Sequence, residues 1–185
     1  MEFVMELWKP ILLSGFAVFV VSALAWTVLP HHRKEYSKLP NDDAILAALR
    51  AGNPPPGLYS LPWASGQDEM QKPEFIAKMN AGPTAFLTVR PPGMPPMGPL
   101  MAKSLVSNII IAIFVAYVGW HSLPMGTEYL QVFRVTGAVT FIAYGLGTVP
   151  ESVWFGRPWS SFLLGAFDAL LYGLVAGGVF GWLWP

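Results

Sequence analysis

The sequence predicts an all-α membrane protein of four transmembrane helices, with a Pro-rich, partly helical extramembrane loop between helices 1 and 2. Of the 185 residues, 54% are hydrophobic and only 12% are charged, whereas an ordinary globular domain is about 25% charged. The apolar residues fall into four blocks, each at least as long as the roughly 20 residues that cross a bilayer. We therefore divide the chain into residues 1–30 (helix 1 and a short N-terminal segment), 31–100 (loop) and 101–185 (helices 2–4).

Charge and cysteine content narrow the classes of function. The chain has 11 basic and 11 acidic residues, so no basic field favours nucleic acid as a partner. It has no cysteine, which excludes disulfides, thiolate metal sites, iron–sulfur ligation and covalently attached c-type haem. We expect no cofactor, and we expect membrane lipid and other membrane-protein subunits as partners.

The first apolar block, from about Trp8 to Leu29, is expected to stay in the protein as a spanning helix. Residues 11–30 form a run of 20 uncharged residues, which is too long for the apolar core of a secretory signal, and no clear cleavage site ends it. Trp26 close to its end, followed by the basic residues Arg33 and Lys34, is typical of a helix that stops at a membrane interface.

The other three blocks run from about Met101 to Trp120, from Tyr129 to Val149 and from Pro158 to Pro185. Tryptophans flank the last block, as expected of aromatic belts. Four spans place both termini on one side of the membrane and the loops 31–100 and 150–159 on the other. Basic residues near the membrane are more numerous on the loop side, so the positive-inside bias favours cytoplasmic loops and external termini.

The long loop is polar but contains signals for short helices. Asn41 as an N-cap and Gly52 as a stop bound one helix, and Pro73 and Gly82 bound a second. Residues 84–90 are a candidate strand, but the density of prolines argues against a regular sheet. The loop has too few apolar residues for a core of its own. We expect it to lie on the membrane, on its own helices or on another protein.

A short methionine-rich segment ends the loop. The neighbouring prolines stiffen it, and no histidine or cysteine accompanies the methionines, so a soft-metal site is not favoured. We interpret the segment as an apolar docking arm that leads into helix 2, with the residues Pro91, Pro92, Met94 and Met97.

The last helix carries an unusual charge. Asp168 is the one charged residue among the 28 residues from Pro158 to Pro185, and a charge at the bilayer centre costs about 2.5–3.5 kcal/mol. Arg134 is the one charge of the third block; at roughly 1.5 Å per residue its backbone differs from that of Asp168 by about 10 Å in depth. We expect Arg134 and Asp168 to form an intramembrane ion pair, either structural or functional.

Small residues recur at every fourth position of the last helix: Gly165, Ala169, Gly173, Gly177 and Gly181. Such a stripe lets a second helix backbone approach closely. The partner can be the third helix, which also carries small residues, a helix of another subunit, or a flat pigment or lipid. We favour packing within the chain.

The histidines do not predict a haem or a metal site. His31 and His32 lie at the loop-side end of helix 1, whereas His121 lies at the opposite end of helix 2. The two groups are separated by nearly the thickness of the membrane, so they cannot ligate one haem. No further ligands cluster in sequence around His31 and His32, so zinc is not favoured either. No nucleophile elbow or phosphate loop is present, and we predict no catalytic residue.

Several short motifs extend over most of the chain. They are Leu29–His32, Thr88–Gly93, Tyr129–Arg134, Ala143–Gly145, Trp154–Ser160, Phe167–Asp168 and Phe180–Pro185. Together they resemble a group of small bacterial four-helix inner-membrane proteins of unassigned function. The resemblance implies a location in the bacterial inner membrane and supplies no catalytic residues.

Three functions follow as hypotheses. The first is a non-catalytic accessory subunit that packs against and stabilises a larger membrane complex, for example a respiratory or photosynthetic one. The alternative is a small transporter or proton-conducting protein that uses the pair of Asp168 and Arg134. A weaker third hypothesis is a membrane enzyme that acts on lipid at the loop side.

Overall fold

The computed structural model describes residues 2–185, which are mostly helical. In chain order the helices are α1 (Glu2–Glu6), α2 (Trp8–Thr27), α3 (Asp42–Gly52), α4 (Gln67–Met70), α5 (Pro73–Ala81), α6 (Met97–Ser122), α7 (Tyr129–Tyr144), α8 (Val149–Trp154) and α9 (Trp159–Leu183). Two 3₁₀ turns cover His31–Lys34 and Leu146–Thr148, and two strands, β1 (Gly57–Leu61) and β2 (Ala85–Val89), form a sheet. The chain divides into two compact units, one comprising the residues up to Ser37 together with Pro95–Pro185 and the other Lys38–Met94.

Among residues 2–185, four helical segments are long and apolar enough to cross a membrane: Trp8–Thr27, Met97–Ser122, Tyr129–Trp154 and Trp159–Leu183. They overlap the four blocks expected from the sequence, but the third extends past the expected end at Val149 to Trp154, into the expected loop 150–159. The third segment comprises α7, the following 3₁₀ turn and α8. The second begins four residues earlier than expected, so that Met97, the last residue of the docking arm, is the first residue of α6.

α9 packs against both α7 and α2, and α2 also packs against α6. Side chains from each of these helices or from the residues beside them are fully buried in the shared core, including Leu7, Val115, Val132 and Phe180. The small-residue stripe of α9 lies against α7. A Cβ atom added to Gly173 would lie 2.8 Å from the carbonyl oxygen of Gly137. α7 and α9 can therefore approach this closely only because glycines face each other.

The small-residue stripe does not contact α7 along its whole length. Beyond Gly173, an added Cβ at Gly177 or Gly181 would lie 2.8 Å from atoms of α7, and Ala169 is fully buried. Gly165, in contrast, has nothing within 4 Å of the place where its Cβ would be. Most of the stripe therefore serves packing within the chain.

The unit Lys38–Met94 contains α3, α4, α5 and the two strands. The strands pair antiparallel, with Gly57 opposite Val89 and Leu61 opposite Ala85. This sheet corrects the expectation that prolines prevent one, because the prolines flank the two five-residue strands and leave the hydrogen-bonded positions free. Asn41 precedes α3 as expected, but its backbone is left-handed and its side chain makes no capping hydrogen bond.

Candidate functional site

Two neighbouring histidines hold the carboxylate of Asp168. His31 Nε2 lies 2.8 Å from Asp168 Oδ1, and His32 Nε2 lies 2.8 Å from Asp168 Oδ2. The side chain of Asp168 is only 6% exposed and that of His32 only 7%. Each carboxylate oxygen therefore has its own imidazole partner in a setting from which water is largely removed.

The local chain course explains how the histidines reach α9. α2 ends at Thr27, and after Pro30 the chain makes one 3₁₀ turn that contains both histidines. The ring of Trp26 stacks on His32 with a centroid distance of 3.9 Å and an interplanar angle of 7°. Phe167 meets the ring of His31 edge-on at 5.6 Å. The flanking aromatic rings therefore restrict the orientation of both imidazoles.

A second carboxylate stands behind His32. His32 Nδ1 lies 2.6 Å from Glu35 Oε2, and the Glu35 side chain is only 3% exposed. Arg157 donates a hydrogen bond of 3.1 Å to Glu35 and another of 2.6 Å to Glu151, and Ser161 also hydrogen-bonds to Glu35. Carboxylates therefore alternate with the His32 ring and the Arg157 guanidinium along a chain of contacts from Asp168 to Glu151. These contacts connect the residues after α2 with α8, with α9 and with the turn between them.

The two carboxylates around His32 restrict its protonation state. Both of its ring nitrogens face carboxylate oxygens, and a neutral imidazole carries only one N–H. Burial lowers the pKa of His32, but the hydrogen bonds to Asp168 and Glu35 outweigh it, so that the pKa lies above its ordinary value of 6.5. Burial raises the pKa of Glu35, but hydrogen bonds from His32, Arg157 and Ser161 lower it below the ordinary value. The cluster therefore favours a positive centre between two negative ones.

Arg134 is not the partner of Asp168, which corrects the expected ion pair. Among residues 2–185, Arg134 forms no salt bridge, and its side chain is exposed. It lines a groove of about 260 Å³ together with Leu170 and Leu174 of α9. At 3.6 residues per turn, Leu170 lies about 200° around the helix from Asp168, so the two charges face opposite sides of α9. The ion pair that the transport hypothesis invoked is therefore not formed among residues 2–185.

Other polar residues lie apart from this cluster. His121 Nδ1 is 2.8 Å from the carbonyl oxygen of Tyr117, one turn back in α6. The Tyr144 hydroxyl donates to Asn108 Oδ1 at 2.9 Å, beside a cavity of about 10 Å³, a space the size of about one water molecule. In the docking arm, Met94 is 94% exposed.

Sequence reasoning interpreted His31 and His32 as interfacial residues and missed their role. Counting residues from the start of the span placed Asp168 deep in the membrane, whereas its contacts set it level with the residues that follow α2. The sequence did carry one signal for this contact, namely the side of the membrane to which each residue lies nearer. Asp168 and the two histidines are all nearer the loop side, while Arg134 is nearer the terminus side.

Comparison of the chain with protein-family models, with curated proteins and with solved structures finds no match. The roles of Asp168, His31 and His32 are therefore inferred from the geometry of this chain alone. The geometry shows a buried, doubly hydrogen-bonded carboxylate, and one of its two imidazole partners, His32, is itself held by Glu35.

Proposed function

We propose that the protein is a non-catalytic integral membrane subunit that packs against and stabilises a larger membrane complex, such as a respiratory or photosynthetic one. One observation carries the proposal: the unit Lys38–Met94 has helices and a sheet, but none of its residues is buried. Ordering a backbone costs about 1–2 kcal/mol per residue, and a unit without buried side chains gains little to offset this cost. Contacts with another molecule supply the missing burial.

Large apolar side chains on the same unit support a docking role. Leu58 is 84% exposed and Trp63 is 67% exposed, and the docking arm (Pro91, Pro92, Met94 and Met97) adds further apolar surface. The unit contains five basic and five acidic residues, whereas attraction to an anionic membrane surface needs an excess of basic residues. A protein partner is therefore favoured over a bare lipid surface.

Arg134 supports the same proposal from within the helices. A guanidinium in a spanning segment is costly unless it is paired or reaches the interface, and the described part of the chain gives it no acidic partner. An acidic residue on a neighbouring subunit would pair with it in the groove between α7 and α9.

The proposed location is the bacterial inner membrane, with loops 31–100 and 150–159 in the cytoplasm and both termini outside. The chain has no cysteine, so single cysteines report sidedness cleanly. In intact cells, a membrane-impermeant thiol reagent is expected to label Met125→Cys, in the turn between α6 and α7, and to leave Ser65→Cys unlabelled. Labelling of Ser65→Cys alone would reverse the orientation.

Purification from native membranes in mild detergent tests the subunit proposal. We expect the tagged protein to elute with a fixed set of other chains at constant stoichiometry. The triple variant Leu58→Ser, Trp63→Ser and Met94→Ser is expected to reduce this association, because these side chains are 67–94% exposed and offer apolar surface to a partner. Asn80→Ser, an exposed polar position of the same unit, is the matched control. A monodisperse, partner-free monomer from native membranes would refute the proposal.

A further inference from the structure

We propose that His31, His32 and Asp168 form a binding site for a divalent transition-metal ion. Each of the three side chains offers one ligand atom, and these atoms all lie within 4.8 Å of one another. Asp168 and His32 are buried and His31 is nearly so, with a side-chain exposure of 17%. This site is independent of the proposed subunit role.

The ligand atoms of the three side chains are of a kind that transition metals bind. Two imidazole nitrogens and one carboxylate are ligands of catalytic zinc and of non-haem iron sites, which keep one or more positions open. Imidazole nitrogen favours Zn²⁺, Fe²⁺, Co²⁺ or Ni²⁺ over Mg²⁺ and Ca²⁺, which take oxygen ligands. The ligand chemistry therefore points to a borderline transition metal and not to an alkaline-earth ion.

The residues that contact His32 on the side away from Asp168 also fit a metal site. A metal-binding histidine usually donates its other ring N–H to a carboxylate, which fixes the tautomer and turns the free lone pair toward the metal. His32 has this arrangement, since its Nδ1 faces Glu35 at 2.6 Å. Glu35 is in turn held by Arg157 and Ser161. If Nδ1 donates to Glu35, the Nε2 lone pair of a neutral His32 faces Asp168, and a cation between them removes the repulsion.

The charges of the cluster also fit a metal site. The cluster contains three carboxylates, of Asp168, Glu35 and Glu151, and one guanidinium, of Arg157. Arg157 pairs with Glu35 and with Glu151, and the Glu151 side chain is 53% exposed. Among residues 2–185, Asp168 is therefore the almost fully buried carboxylate of this cluster that has no Lys or Arg partner. Unpaired buried charge is strongly unfavourable. One divalent cation balances the cluster; protonation of the imidazoles is the competing way to reach the same balance.

Co²⁺ binding to the detergent-purified, chelator-treated full chain tests the proposal. Because the chain has no cysteine, d–d absorption of Co²⁺ reports nitrogen and oxygen ligation directly. We expect saturable binding of one Co²⁺ per chain, competition by Zn²⁺, and loss of binding in His31→Ala. His121→Ala removes the histidine that lies outside the cluster and is expected to bind like the wild type.

A variant that keeps all three ligands, assayed below its own Tm, separates loss of the site from loss of the fold. Glu35→Gln preserves shape and removes only the charge behind His32, and it is expected to weaken Co²⁺ binding by about 10–100-fold. Failure of the wild-type chain to bind Co²⁺ or Zn²⁺ stoichiometrically would overturn the site and leave imidazole protonation as the source of charge balance. Equal loss of binding in His31→Ala and His121→Ala would also overturn it.

Discussion

At the scale of single residues, the cost of burying Asp168 is met by hydrogen bonds from both sides. A buried carboxylate is tolerated when its oxygens accept hydrogen bonds and opposite charge lies close. The paired histidines provide this, and the second carboxylate behind His32 keeps that ring in place. The same atoms would serve either as an imidazolium–carboxylate network or as a metal site.

Glu35→Gln is the sharpest single substitution for this network. The Glu35 side chain is buried, and removing its charge leaves His32 and Arg157 without their shared negative partner. In the presence of a chelator, we expect a loss of about 3 kcal/mol or more, the range for a broken buried pair, seen as a lowered Tm in detergent. Glu151→Gln changes a side chain that is 53% exposed and is expected to cost at most about 1 kcal/mol. Equal effects of the two variants would contradict the assigned order of importance.

At the scale of the elements, α9 has two differently used faces. One face carries the stripe that meets α7, and another carries Asp168 toward the residues after α2. Periodicity of about 3.6 residues separates the two faces. α9 is therefore fixed by close packing on one side and by a polar cluster on the other.

Gly173→Ala and Gly165→Ala form a matched pair for the stripe. The new methyl group at 173 would lie 2.8 Å from a backbone oxygen of α7, so the helices must separate, while the position at 165 is open. We expect Gly173→Ala to destabilise the protein by about 1–3 kcal/mol through overpacking. Gly165→Ala is expected to be neutral or stabilising by up to about 1 kcal/mol through helix propensity. Thermal unfolding in detergent measures both; a harmless Gly173→Ala would disprove the close approach.

At the scale of the whole molecule, the sequence predicted what depends on local pattern. Block length predicted the four spanning segments, and turn residues such as Pro73 and Gly82 predicted the ends of α5. The sequence did not reveal the partner of Asp168, because a single 3₁₀ turn after Pro30 decides where the imidazoles lie. It also did not reveal the sheet, which requires pairing between strands more than twenty residues apart.

We expect amide hydrogen exchange to be faster in one of the two units of the chain than in the other. In the isolated protein, amides of Lys38–Met94 are expected to exchange much faster than those of α7 and α9, because that unit has no buried residues to protect them. In the native complex, the same amides are expected to gain protection. Mass spectrometry of both preparations measures the change. Equal, strong protection in the isolated protein would contradict the proposed dependence on a partner.

The most direct test of the central claim, that histidines and not Arg134 hold Asp168, is a pair of double-mutant cycles measured by unfolding in chelator. One cycle combines His31→Ala with Asp168→Asn, and the other combines Arg134→Gln with Asp168→Asn. Contacting residues show coupling free energies of about 0.5–3 kcal/mol, while distant ones are additive within about 0.3–0.5 kcal/mol. We predict coupling in the first cycle and additivity in the second. Additivity with His31 together with coupling to Arg134 would contradict the claim.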